Sequence, residues 1–184
     1  MYRFDFDAGR HDLFPAGYTT LQVTSIELLV AEFFKQGLMM KEQLAYVLAT
    51  AYHECHNPAY PKNRLTPMKE FGGARYLKSK AYYPYYGRGF VQLTWKRNYD
   101  KAGKRLGIDL LSNPDLALEP LYAANIMVYG MKYGSFTGKK LSDYINEREV
   151  DFLQARRIIN GMDQSKLIAD YARQFQDCLF PILA

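Results

Sequence analysis

Residues 40–54 read Met40-Lys41-Glu42-Gln43-Leu44-Ala45-Tyr46-Val47-Leu48-Ala49-Thr50-Ala51-Tyr52-His53-Glu54. Leu44, Val47, Leu48, Ala51 and Tyr52 recur at the three- and four-residue steps that put side chains on one face of a helix. Working outward, residues 21–36 carry Ile26, Leu29, Val30, Phe33 and Phe34 at the same spacing, with Gly37 as a stop. Helical pattern returns at 94–106, closed by Gly107, and then at 120–133, 141–146, 150–159 and 166–179. Between Cys55 and Val91 the period is lost. Pro58, Pro61, Pro67, Pro84 and several glycines punctuate that stretch, which predicts long loops with at most a small hairpin. Loops of that length inside a domain usually carry function. With no internal repeat and almost no strand signal, the expected fold class is all-α.

The chain has 184 residues, 48% apolar and 23% charged, which is enough for one domain with a buried core and excludes a disordered chain. Its net charge of +5 is unevenly placed. Twelve basic residues and only two acids, Glu70 and Asp100, fall in 62–105, so this window is strongly positive and the remainder is net negative. A basic face on an acidic body points to an anionic partner. Two cysteines, Cys55 and Cys178, are too few for a disulfide-built secreted domain and read as free thiols. Residues 1–17 hold Asp5, Asp7 and Asp12 and no apolar run, and no stretch approaches a membrane span. The expectation is a single domain over 1–184, soluble, monomeric, without stable membrane insertion, made in the cytoplasm without an export signal.

Glu54 closes the apolar helix. Partial burial and the negative end of the helix dipole would favour its protonated form, able to donate to a leaving oxygen. Otherwise it faces water or pairs with a lysine such as Lys62. Glu70 stands beside Lys69 and Arg75, cations that would keep it ionised. Two carboxyls in opposed environments suit glycoside hydrolysis, although a solvated loop charge explains Glu70 equally well. His53, Glu54 and His56 invite a metal, but the position four after His53 is Asn57, and neither His11 nor Cys55 completes a site. Neither metal nor cofactor is expected. Gly87-Arg88-Gly89 lacks the rest of a phosphate loop and reads as a tight turn or a close approach to a ligand. Around it lie Tyr82, Tyr83, Tyr85, Tyr86, Trp95 and Tyr99, whose flat faces suit pyranose rings, unstacked bases, or the core. A nucleic-acid-binding module remains the non-enzyme alternative, though it explains neither Glu54 nor the order of the motifs.

The run Tyr85-Tyr86-Gly87-Arg88-Gly89-Phe90-Val91-Gln92-Leu93-Thr94-Trp95, continuing to Asn98-Tyr99, resembles the signature of family 19 glycoside hydrolases. Ala49-Thr50-Ala51-Tyr52-His53-Glu54 is similar to the family's helix end, and Ile158-Ile159-Asn160-Gly161 to its downstream segment. The resemblance implies a lysozyme-like helical domain, with a family core over about 21–179. It also implies inverting hydrolysis of β-1,4-linked N-acetylhexosamine polymers. It assigns Glu54 as general acid, Glu70 more loosely as general base, and Thr94 to the position that helps hold the water. Gln92, Tyr86, Arg88, Trp95 and Asn160 become substrate contacts. Inversion would set the two carboxyls ~6.5–9.5 Å apart. With two cysteines and no second domain, the chain looks most like a bacteriophage endolysin of this family. Such a muramidase acts on peptidoglycan, not nucleic acid, and is held in the host cytoplasm until the membrane is permeabilised. Chitin is the alternative substrate.

Overall fold

The computed structural model describes residues 1–57 and 64–182; Pro58, Pro61 and Lys62 lie outside the described residues. The chain runs β1 (Tyr2–Phe4), α1 (Phe6–Asp12), α2 (Thr20–Lys35), α3 (Lys41–Glu54), β2 (Met68–Lys69), α4 (Ala74–Lys78), β3 (Arg88–Gly89), α5 (Lys96–Leu106), α6 (Pro120–Tyr133), α7 (Ser165–Asp177) and β4 (Leu179–Pro181). Short 3₁₀ turns occupy Pro114–Leu118, Leu141–Asp143 and Gln154–Ile158.

Local chemistry sets the helix ends. Asp5 accepts the Asp7 and Ala8 amides at 3.0 Å each and so starts α1. Thr19 and Gln22 form a reciprocal capping box at the start of α2. Pro120 opens α6, where its missing N–H costs nothing, and left-handed Gly107 and Gly134 end α5 and α6.

The apolar stripe of α3 becomes a helix buried on all sides, since every residue from Gln43 to Tyr52 is buried. It packs chiefly against α7, and α2 packs chiefly against α6. Removing Leu44 and Leu48 wholly from water stabilises the fold by about 1.5–3 kcal/mol each. A smaller cluster of Leu93, Tyr99, Ala102, Leu110, Ala117 and Ile126 lies beneath the Gly87–Trp95 loop and α5.

The architecture is helical, as the pattern predicts, with differences in detail. Two small antiparallel sheets form rather than at most one hairpin: β2 pairs with β3 (Met68 opposite Gly89), and β1 pairs with β4 (Phe4 opposite Leu179). The expected helices at 141–146 and 150–159 are only 3₁₀ turns. Between them the Asn146 side chain accepts the Arg148 and Glu149 amides at 2.9 and 3.2 Å, a local turn that competes with helix, and Ile145 bridges to Val150. Among the described residues no helix is long and apolar enough to cross a membrane.

Candidate active site

α3 delivers Glu54 to the end of the buried helix, and the next residue fixes its surroundings. Cys55 is fully buried, and its thiol donates toward the Gly89 and Phe90 carbonyls at 3.6 Å each. Burial pushes that thiol well above its usual range, so it is an inert packing group. Cys178 is likewise buried and free. The partner of Glu54 is Arg156, whose Nη1 donates to Oε1. Only 4% of the Arg156 side chain and 18% of the Glu54 side chain is exposed, and Arg156 Nε donates to the Asp163 carbonyl at 3.0 Å. Glu54 is therefore neither an unpaired acid nor, among the described residues, a lysine's partner. His53 is half-buried, and burial lowers its pKa from the usual histidine value. Among the described residues no group of three or more His, Cys, Asp or Glu is placed to hold a metal ion.

Glu70 follows β2 and is gripped by the loop that leads into β3. Its own amide donates to the Gly87 carbonyl at 2.7 Å, and the Gly87 amide returns a bond to Oε2 at 2.9 Å. The Tyr82 hydroxyl donates to Oε1 at 2.6 Å, and that bond pushes the Tyr82 phenol up to about 12. The cations expected beside Glu70 lie elsewhere: Lys69 pairs with Asp115 at 2.9 Å, and Arg75 is exposed on α4. An uncharged hydroxyl and a backbone amide hold the carboxylate instead. Glycine is required in this turn. Gly89 has φ +84°, and a Cβ there would stand 2.9 Å from the Ala117 carbonyl.

The other signature residues divide into those that build the loop and those that face outward. Arg88 is buried, with Nε on Asp115 at 2.7 Å and Nη1 on the Pro84 and Tyr86 carbonyls and the Tyr99 hydroxyl, each at 3.1 Å. Its guanidinium also lies over the Tyr86 ring, 3.7 Å from the centroid. This corrects the expectation for Arg88, which clamps the loop from within instead of meeting a substrate. Gln92 has φ +52°, and its Nε2 donates to the Met68 and Gly89 carbonyls at 3.0 and 3.3 Å, tying β2 to β3. Thr94 is half-buried and donates its hydroxyl proton to the Gln92 carbonyl at 2.7 Å, which leaves the oxygen lone pairs as acceptors. Trp95 is 53% exposed and packs edge-on against Tyr82, and Tyr83 stacks beside half-buried Tyr86. Asn160 is exposed one turn beyond Arg156, whose carbonyl accepts its amide at 3.1 Å.

Strand β3 links the two acids. Cys55, the residue after Glu54, reaches the Gly89 and Phe90 carbonyls, and Glu70 is clasped by Gly87, so both acids border the same short stretch of chain. Glu54 is held by a buried cation and Glu70 by neutral donors, the reverse of the surroundings expected from the sequence, and Trp95 packs on the Tyr82 ring that holds Glu70. That set supplies two carboxyls for acid and base work on a polar bond. Sequence reading missed Arg156 and Asp115. The available signal for Arg156 was its place between Ala155 and Ile158 in an apolar segment, where a buried arginine needs an acidic partner.

The chain matches the family model described as Chitinase class I over residues 7–129. An endochitinase of Arabidopsis thaliana is 37% identical over 87 residues, covering 44% of this chain and 28% of the relative. An inactive chitinase-like protein of Hevea brasiliensis is 33% identical over 123 residues, covering 63% and 37%. These matches thus span well under half of the curated relatives' own length. Among solved structures, a bacterial family 19 chitinase superimposes with a TM-score of 0.68 at 23% identity, covering 95% of this chain and 94% of that one. Chitinase C of Streptomyces griseus gives 0.64 at 21%, covering 98% and 79%, and at such identities the likeness is one of fold. With a model match across two thirds of its length, the chain belongs to the Chitinase class I family, family 19 of the glycoside hydrolases.

Proposed function

We propose that this chain hydrolyses β-1,4 bonds between the amino sugars of bacterial peptidoglycan, with inversion, as an endolysin acting on the wall once the membrane is permeabilised. The observation that carries the hydrolytic reading is the two carboxyls Glu54 and Glu70 held at the same Gly87–Phe90 stretch, Glu70 by Gly87 itself and Glu54 through its neighbour Cys55. Family membership alone would not suffice, since one relative is described as inactive. Glu54, whose carboxylate is paired with Arg156, first takes a proton from solvent and then gives it to the leaving glycosidic oxygen, while the proton that Glu70 removes from water returns to solvent. Glu70, whose carboxylate keeps free acceptor positions beyond Tyr82 and Gly87, takes one from water. Thr94 Oγ1 accepts a hydrogen bond from that water, because its own proton is committed to Gln92. Trp95 and Tyr83 offer exposed faces for sugar rings.

Charge favours a wall polymer. Lys96, Arg97, Lys101 and Lys104 are exposed on α5, directly after the signature, and peptidoglycan carries carboxylates. Chitin is the second reading, favoured by relatives named as chitinases. Digesting purified peptidoglycan and chitin oligomers in parallel, with mass spectrometry and anomeric NMR of the products, tests both. New reducing ends of inverted configuration from peptidoglycan are expected, lost by ~10²-fold or more in Glu54→Gln and reduced in Glu70→Gln. Anhydro products, or turnover of chitin alone, would replace this reading.

A further inference from the structure

A cavity of about 310 Å³ opens between α5 and α6, walled by Leu93, Asn98, Lys101, Arg105, Tyr129 and Phe136. The Phe136 ring sits against α6 only because Gly130 has no side chain; a Cβ there would stand 2.1 Å from the ring. Asn98, Lys101 and Arg105 recur at helical spacing, so all three reach the same wall.

Arg105 is held in place without being neutralised. Its guanidinium lies over the Tyr129 ring at 3.9 Å from the centroid, and Nη2 donates to Asn125 Oδ1. Asn125 in turn donates to the buried Glu32 at 2.5 Å, so the amide stands between the cation and the acid. Among the described residues neither Arg105 nor Lys101 has a carboxylate within ion-pair distance. Burial lowers the Arg105 pKa from its usual value, against the opposing pull of Tyr129 and of Glu32 beyond the Asn125 amide. Lys101 is exposed at the mouth.

The cavity adjoins the Gly87–Trp95 run, and its Phe136 wall is tied through Thr137 to the segment before Asn160. Leu93 precedes Thr94, and Asn98 Nδ2 donates to the Thr94 carbonyl at 2.8 Å. Opposite, Thr137, next to Phe136, donates its hydroxyl to the Arg157 and Ile158 carbonyls at 2.6 and 3.0 Å, two residues before Asn160. Lys101 is six residues from Trp95, about 9 Å along the helix.

We propose that this pocket binds a carboxylate-bearing side substituent of the glycan, the peptide stem of peptidoglycan, and so determines preference for wall polymer over neutral chitin. The assignment rests on the hydrolytic reading above. An anionic group there would complete the charge of Arg105 and Lys101, and a chitin chain carries none.

The test compares wild type and Lys101→Glu on three substrates: native peptidoglycan sacculi, the same sacculi with carboxylates converted to amides, and neutral chitin oligomers. Lys101→Glu is expected to lower kcat/KM on native sacculi roughly fivefold, on the scale of an exposed ion pair, with little change on the oligomers. Amidation is expected to lower the wild type to the level of the variant, which separates carboxylates from wall phosphates. Arg105→Gln supplies a second variant, read only with unfolding curves because Arg105 also packs on Tyr129. Equal loss on sacculi and oligomers, no loss on sacculi, or indifference to amidation overturns the pocket's role while sacculus cleavage stands. A wild type that cleaves oligomers but not sacculi overturns the peptidoglycan reading itself, and the pocket assignment with it.

Discussion

Replacing Arg156 with alanine should uncouple the acid at the end of α3 from the body of the protein. The guanidinium is almost wholly buried, and its loss leaves Glu54 facing an emptied pocket. Breaking a buried ion pair from one side costs about 3–5 kcal/mol. Glu54 keeps 18% exposure and can recover some hydration, which reduces the penalty, while the lost bond to the Asp163 carbonyl adds about 1 kcal/mol. The expected destabilisation is about 2–4 kcal/mol, or a fall of roughly 5–15 °C in Tm for a chain of this size. Thermal and urea unfolding followed by circular dichroism, on Arg156→Ala, Glu54→Gln and the double variant, reads the coupling directly. Because the two side chains touch, their effects should be non-additive by at least ~1 kcal/mol. Turnover should fall in parallel as the carboxyl loses its orientation, and Arg156→Lys should restore stability only in part, since an ammonium lacks the planar fork. Additive effects, or an Arg156→Ala protein as stable as wild type, would refute the ion pair as the holder of Glu54.

Tyr82→Phe removes one of the two donors to Glu70 and should lower kcat several-fold with little change in KM, measured by initial rates on soluble oligomers. Asp115 is held below its usual pKa by the hydrogen bond from Lys69 and then by Arg88. Its contribution is therefore present at neutral pH and lost as pH falls through the depressed value, below ~3.9. Asp115→Asn should cost about 1 kcal/mol or less at neutral pH, because water screens the half-exposed carboxylate, and the gap from wild type should close in acid unfolding curves. Leu48→Ala, at a fully buried position in α3, should cost ~2–5 kcal/mol in urea unfolding.

The local code of this chain was easy to read. The helices at 21–36, 94–106, 120–133 and 166–179 appear within two residues of their expected ends because periodicity, capping residues and glycine stops all act over one or two turns. Where a polar side chain bends its own backbone, as Asn146 does, apolar periodicity overstates helix. The β1–β4 pairing joins residues at opposite ends of the chain, and no local pattern announces it. The residues around the two acids show the same division. Glu54, Glu70 and the Gly87–Trp95 run stood out by type and order, but their partners did not. Neighbours in sequence suggested Lys69 and Arg75 for Glu70, and the folded loop supplies Tyr82 and Gly87.

The sequence by itself determined the helical class, the family motifs and the two carboxylates, since these depend on residue type and short-range spacing. Only the tertiary structure decided which cation meets Glu54, that Arg88 faces inward, and that Lys101 and Arg105 share a cavity without an acid. The physical reason is that charge pairing and burial act through space. Arg156 lies 102 positions from Glu54 in the chain, and their contact exists only after α3 and the Gln154–Ile158 turn have packed together.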